Sequence, residues 1–458
     1  MKKVSRRFNF NDMDIEYKAF GRNYYSAAFF RMKVDVPSPL IPIDDIPDAS
    51  FALYFHEYIH FIQDISTIYG LMNINNLVYY IHDIASRISK QGATYFDIPV
   101  PLPNDKTDFG YVNHLLMPFY KGTAISPMRA RITITGFSEV MTQWGPESGQ
   151  IIPCIMVTAT DKMQDSTPFE FRLGGNHITE GMAYLCEQHV YYDLLKGQDI
   201  EFKANEYPYH VVQKLAAFVY PEIAEERQLL IAACDAALMT YNPGVSFMQV
   251  LFHLKQLKFA ENGYDISSLY RTTATLLKGS HPDIQIMSDM ARDLIKKNFK
   301  VEYFEGNNEW IDLVFERITA LRTQNPSFIH AILVPGDLKK NIDFRVLLAY
   351  IGSPMVVNGF NEGTFSIPAG FDTSRLHLGL FWAINQILRV FTNSKPIPCE
   401  LKAHCKESEV FDPLIVVDER CDKNPWSRCK DANLCPFGAM WKHWGLSAFE
   451  PKINTESN

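Results

Sequence analysis

The sequence predicts an α+β protein, mainly helical, and three observations carry that prediction. A segment centred near residue 60 is apolar on nearly every side. Most of 208–325 divides into stretches of helix length. Three β-branched runs cluster between 130 and 173. A helix that is apolar all round belongs in an interior, and short β-branched runs bounded by turns read as strands. With 458 residues, 47% hydrophobic and 13% aromatic, the chain can close a core without disulfides. At 21% charged it lies far from the polar bias of a disordered chain.

Residues 1–48 read as extended, with partial alternation over 29–36 and then Pro37, Pro39, Pro42 and Pro47. Asp48 and Ser50 are the N-cap candidates for a buried helix over 50–69. After Gly70 a second helix is expected over 74–90. Strands are expected at 130–135, 151–160 and 168–173, with a hairpin turn at 161–166 between the last two. A third helix is expected over 178–196, ending before Gly197. Further helices follow at 222–241 and 246–260, separated by Asn242-Pro243-Gly244. Residues 395–458 are rich in Pro, Cys and Trp, with little periodicity. The chain thus divides into 1–200, a helical 201–394 that completes a cleft, and a Cys-rich tail at 395–458.

The chemistry concentrates in His56-Glu57-Tyr58-Ile59-His60. Positions i and i+4 share one helix face, so His56 and His60 can grip one ion, while Glu57 at the edge of that face reaches a water on the metal. Zinc lowers the pKa of that water toward neutrality, and the carboxylate takes its proton. A random chain of this composition yields the pattern ~0.02 times. Burying two imidazoles and a carboxylate in an apolar helix without partners would cost several kcal/mol.

This pentapeptide on a helix resembles the signature of the zincin metallopeptidases. The resemblance covers the motif helices, and it implies a zinc hydrolase acting on peptide bonds, with a protein or peptide as substrate. A third histidine in the metzincin register is absent, because Gln63, Asp64 and Thr67 follow His60 instead. Glu180, followed by Gly181 and Ala183, resembles the glutamate helix of gluzincins, which implies a zincin-like pair of active-site helices with a small β layer and Glu180 as the third zinc ligand. Small residues at 181 and 183 would let that helix approach the first. Glu187, two turns further along the same face, can orient a histidine ligand. Asp64, at i+4 from His60, is the alternative third ligand or a supporting group. His177 and Tyr184 share the face of Glu180 and are the candidates to support an oxyanion.

A second metal site is expected in the tail, where Cys399, Cys405, Cys421, Cys429 and Cys435 gather with His404 and His443 nearby. A structural zinc using four of these side chains and an iron–sulfur cluster are both open, as are disulfides or free thiols. Trp426, Trp441 and Trp444 are expected to pack around whatever forms. Cys154, Cys186 and Cys234 read as buried core thiols, and Asp235 as a supporting group or a solvated charge.

The net charge of −8 and the single basic cluster of Lys2, Lys3, Arg6 and Arg7 argue against nucleic acid as a partner. No run of about 18 apolar residues predicts a membrane span, and no apolar stretch follows the basic start. Cytoplasmic location is the expectation. A regulatory protein partner is left open. The alternatives to a metallopeptidase are a zinc amidase or hydrolase acting on another bond, and a scaffold whose metal is structural.

Overall fold

The computed structural model describes residues 24–26, 30–34, 36, 42–100, 119–123, 131–144, 150–161, 167–194, 196, 205–279, 282–334, 336–360, 362–393, 397–409 and 414–453. Among these, helices of eight residues or more are α1 (Asp48–Ser66), α2 (Ile68–Ser89), α3 (Gly175–Gln188), α4 (Val211–Val219), α5 (Arg227–Leu238), α6 (Pro243–Gln256), α7 (Ile266–Leu276), α8 (Ile284–Asn298), α9 (Glu305–Gln324), α10 (Ile342–Ile351), α11 (Leu378–Thr392), α12 (Lys402–Glu409) and α13 (Pro436–His443). The protein is mainly helical, with small sheets.

Helix α1 is buried on almost every side and packs against α2, α3 and α9. It starts after Pro47, and neither Asp48 nor Ser50 caps it. Asp48 instead pairs with Lys339 Nζ at 2.6 Å. The helix ends earlier than the sequence suggests, because Thr67 is extended (φ −126°, ψ 155°). The Thr67 hydroxyl donates to the Gln63 carbonyl at 2.7 Å and accepts from the Gly70 N–H at 3.0 Å, so it caps α2. Gly70 lies inside the first turn of α2. A Cβ there would meet the Asp64 backbone at 2.3 Å, so only glycine lets α2 fold back so tightly on α1.

The strands β4 (Ile132–Trp144), β5 (Gln150–Asp161) and β6 (Pro168–Leu173) form an antiparallel sheet in that order. Pairing of Ala159 with Phe169 fits a hairpin, whose turn residues 162–166 lie outside the described residues. Helix α3 leaves β6 through Gly174 and starts three residues before the expected position. It ends at Gln188, followed by a π-helical turn at His189–Leu194. The expected 222–241 helix is a short turn, Pro221–Ala224, and then α5.

Two other sheets join distant parts of the chain. Strand β2 (Arg31–Lys33) lies between β1 (Tyr24–Ser26) and β7 (Met355–Val357), to which it is parallel, and β8 (Gly363–Thr364) completes that sheet. Strand β3 (Tyr95–Ile98) pairs in parallel with β9 (Glu450–Ile453). The Cys-rich segment is thereby tied to the N-terminal region. Trp441 is fully buried, stacked between Phe96 (6.2 Å) and Phe437 (5.6 Å). Trp426 and Trp444 are buried as well.

Candidate metal centre

The site is built by two helices in contact, α1 and α3. One ligand atom each from His56, His60 and Glu180 lies within 4.8 Å of the others, and all three residues are buried. His56 Nε2 and His60 Nε2 are 3.2 Å apart. Glu180 Oε2 is 3.7 Å from His56 Nε2, and Glu180 Oε1 is 3.6 Å from His60 Nε2. A tetrahedral zinc with bonds of about 2.0–2.1 Å sets its ligand atoms roughly 3.3 Å apart. The observed separations are close to that size, with each ring facing a different oxygen of Glu180.

The hydrogen bonds around the rings fix which nitrogens face inward. The Gln63 amide donates to the Thr179 carbonyl at 3.1 Å, so its Oε1 must accept, and it receives His60 Nδ1–H at 2.8 Å. His60 therefore turns the lone pair of Nε2 toward the site. His56 Nδ1 lies 2.8 Å from Glu187 Oε2, bent away from ideal hydrogen-bond geometry. This contact also leaves Nε2 facing inward. Two imidazole lone pairs at 3.2 Å repel unless a proton or a metal ion lies between them. Glu180 Oε2 is buried with no hydrogen-bond partner. An orphaned carboxylate oxygen and two converging lone pairs fit a divalent cation.

The electrostatics point the same way. Burial pulls the His56 pKa down, but Glu180 and Glu187 overcome it and hold the ring well above its ordinary value. His60 is likewise raised, with Glu180 outweighing burial. Burial pushes Glu180 up, yet the two imidazoles bring it down to about 2. Three buried carboxylates around two rings make a pocket that stabilises positive charge. Glu57 sits beside them, and burial pushes its carboxyl up to about 7 against the pull of His56 and His60. A carboxylate poised there can hold or release a proton near neutrality.

No described protein family, curated protein or solved structure matches this chain.

The remaining residues singled out in the sequence fall on both sides of the site. Asp64 is buried one turn beyond His60 and is not part of the ligand triangle. His177 is turned away from it. Its Nδ1 accepts from the Gly174 N–H at 3.2 Å, and its Nε2–H donates to the Tyr207 hydroxyl at 2.8 Å, which donates in turn to the Thr123 carbonyl at 2.6 Å. Burial lowers His177 to about 4, so it is a neutral ring that closes the start of α3. Tyr184 packs on His210 (4.7 Å) and on Tyr209 (5.6 Å). Tyr209 lies closer to the ligands, edge-on to His56 at 6.1 Å. Gly181 serves a contact other than the expected one: a Cβ there would meet Val212 of α4 at 2.3 Å, so its small size admits α4 rather than α1. Asp235 supports no ligand. It is fully buried and paired with Arg322 at 2.6 Å.

Gln63 and Tyr209 were not legible as site residues. Gln63 carried a usable signal, since i+3 from His60 lies on the ligand face of α1. Tyr209 carried none, because its proximity to His56 comes from the packing of a separate segment.

The five cysteines of the tail are free thiols, as are Cys154, Cys186 and Cys234. His443 Nε2 meets the Asn298 carbonyl at 2.8 Å, and His404 packs on Trp382. Both histidines are thus engaged away from the cysteines. No helix among the described residues is long and apolar enough to cross a membrane.

Proposed function

We propose that the protein is a zinc-dependent metallopeptidase in which His56, His60 and Glu180 hold the ion and Glu57 is the general base. The observation that carries this reading is the inward convergence of two Nε2 atoms, 3.2 Å apart, on the Glu180 carboxylate, whose two oxygens lie 3.6–3.7 Å from them, one oxygen facing each ring. Zinc supplies Lewis acidity and lowers the pKa of a coordinated water. Glu57 receives a proton at its carboxylate and passes it to the leaving amine, a role suited to a group pushed up to about 7. Gln63 holds His60 and Glu187 faces His56, so the imidazoles keep their angle during turnover.

The test is Glu57→Gln. Elemental analysis should find one zinc per chain in both wild type and variant. Hydrolysis of a panel of folded proteins, unstructured peptides and small amides should fall by about 10²–10⁴ in the variant. Zinc-free wild type after metal loading, or a variant as active as wild type, overturns the proposal. Turnover of small amides alone moves the assignment from peptidase to amidase.

A further inference from the structure

Four cysteines from separate segments of the tail, Cys399, Cys405, Cys421 and Cys435, line one small cavity that opens partly to solvent. Cys399 precedes α12 and Cys405 lies within it, Cys421 sits in the short helix Arg420–Lys423, and Cys435 caps α13. The fifth cysteine of the tail stands apart: Cys429 is not in the lining, and its thiol points to the Ser447 carbonyl at 3.9 Å. We propose that Cys399, Cys405, Cys421 and Cys435 hold a cubane iron–sulfur cluster, with Cys429 outside the ligand set.

The spacing separates this from a single zinc. Zinc bonds to sulfur of about 2.3 Å bring four tetrahedral thiolates to roughly 3.8 Å from one another and leave no space between them. Among the described residues no three of these sulfurs approach within 4.8 Å of each other, and a small cavity remains among the four residues. A cluster carrying its own sulfides fills such a space and holds its cysteines further apart. Unfilled, the cavity would forfeit the packing contacts that buried thiols normally make.

An N–H donor and a buried cation lie beside the cavity. The Gly438 N–H, at the start of α13, donates to Cys435 Sγ at 3.4 Å. Arg428 lines the cavity and is almost fully buried, anchored to Asp418 at 2.9 Å. Backbone N–H donors and a nearby cation are the levers by which a protein stabilises a negatively charged cluster. This inference is independent of the zinc site between α1 and α3.

The experiment uses the full chain purified without oxygen, then incubated with ferrous iron and sulfide if isolated metal-free. About four iron and about four acid-labile sulfides per chain are expected, with broad visible absorption and a Mössbauer spectrum of a cubane. Cys399→Ser, Cys405→Ser, Cys421→Ser and Cys435→Ser should each lose most of the iron and sulfide, and Cys429→Ser should keep both. Zinc in the tail without sulfide, no cluster after reconstitution, or loss of the cluster in Cys429→Ser overturns the proposal. If the serine variants of the lining cysteines do not accumulate, the wild-type sulfide content and Mössbauer spectrum decide alone.

Discussion

The geometry of the His56–His60–Glu180 cluster depends on side chains outside it. Gln63 is the clearest case. Its amide is locked by the Thr179 carbonyl, and that lock dictates the tautomer of His60. Gln63→Leu should keep the fold and weaken zinc by about 10–100-fold, as should Glu187→Gln at His56. Competition with a chromophoric chelator measures the affinity, and an unchanged far-ultraviolet spectrum shows that the helices persist. Equal affinity in both variants would remove these residues from the centre. The histidine pair was legible because i, i+4 spacing needs no tertiary knowledge. The Glu180 position rested on a local pattern of small residues, and that pattern turned out to serve the contact of Gly181 with Val212.

Helix α1 is held at its far end by an ion pair that no local pattern announces. Arg322, on α9, donates to the Ser66 carbonyl at 3.1 Å and to the Ser66 hydroxyl at 3.0 Å. It also grips Asp235 of α5 through two nitrogens, at 2.6 and 2.9 Å, and Tyr270 donates to the same carboxylate at 2.5 Å. The guanidinium thus sits where a helix C-terminus favours positive charge, and it joins three helices behind the ligand turn. Arg322→Ala leaves a buried aspartate unpaired and should destabilise the protein by about 3–5 kcal/mol, read by urea denaturation. A loss under 1 kcal/mol would mean that water replaces the pair (~1 kcal/mol being typical of exposed pairs). From sequence, Asp235 stood out only as a charge in an apolar stretch. Its partner is 87 residues away, beyond any periodicity. The break at Thr67 was equally hidden, since a threonine can also bond to the i−4 carbonyl within an unbroken helix.

Acid sensitivity is a property of the assembled fold. Burial depresses both His177 and His330 to about 4, so both are neutral when folded. Unfolded, they titrate near 6.5. Between those values the unfolded chain binds protons that the folded chain refuses. Stability from these groups is therefore complete above pH 6.5 and declines as the pH falls toward 4, by up to about 3 kcal/mol each. His330 has no hydrogen bond to either ring nitrogen, so His330→Leu should flatten part of the acid limb at little cost at pH 7. Urea midpoints at pH 7 and pH 5 check this, and an undiminished slope in the variant refutes it. Helix content and the antiparallel β4–β5–β6 sheet were readable because their patterns are local and long. The short strands were not, since so few residues carry no pattern, and the pairings of β2 with β7 and of β3 with β9 span more than 300 positions.

The pairing of β3 with β9 has a consequence for how the protein is made. On the ribosome, residues 95–98 emerge well before 450–453, and at about 5–20 residues per second the delay is roughly 20–70 s. Throughout that interval β3 lacks the strand that covers its backbone groups in the folded protein. Nascent chains released a few residues short of β9 should therefore be held by chaperones or degraded, even though both proposed metal sites lie upstream of the missing strand.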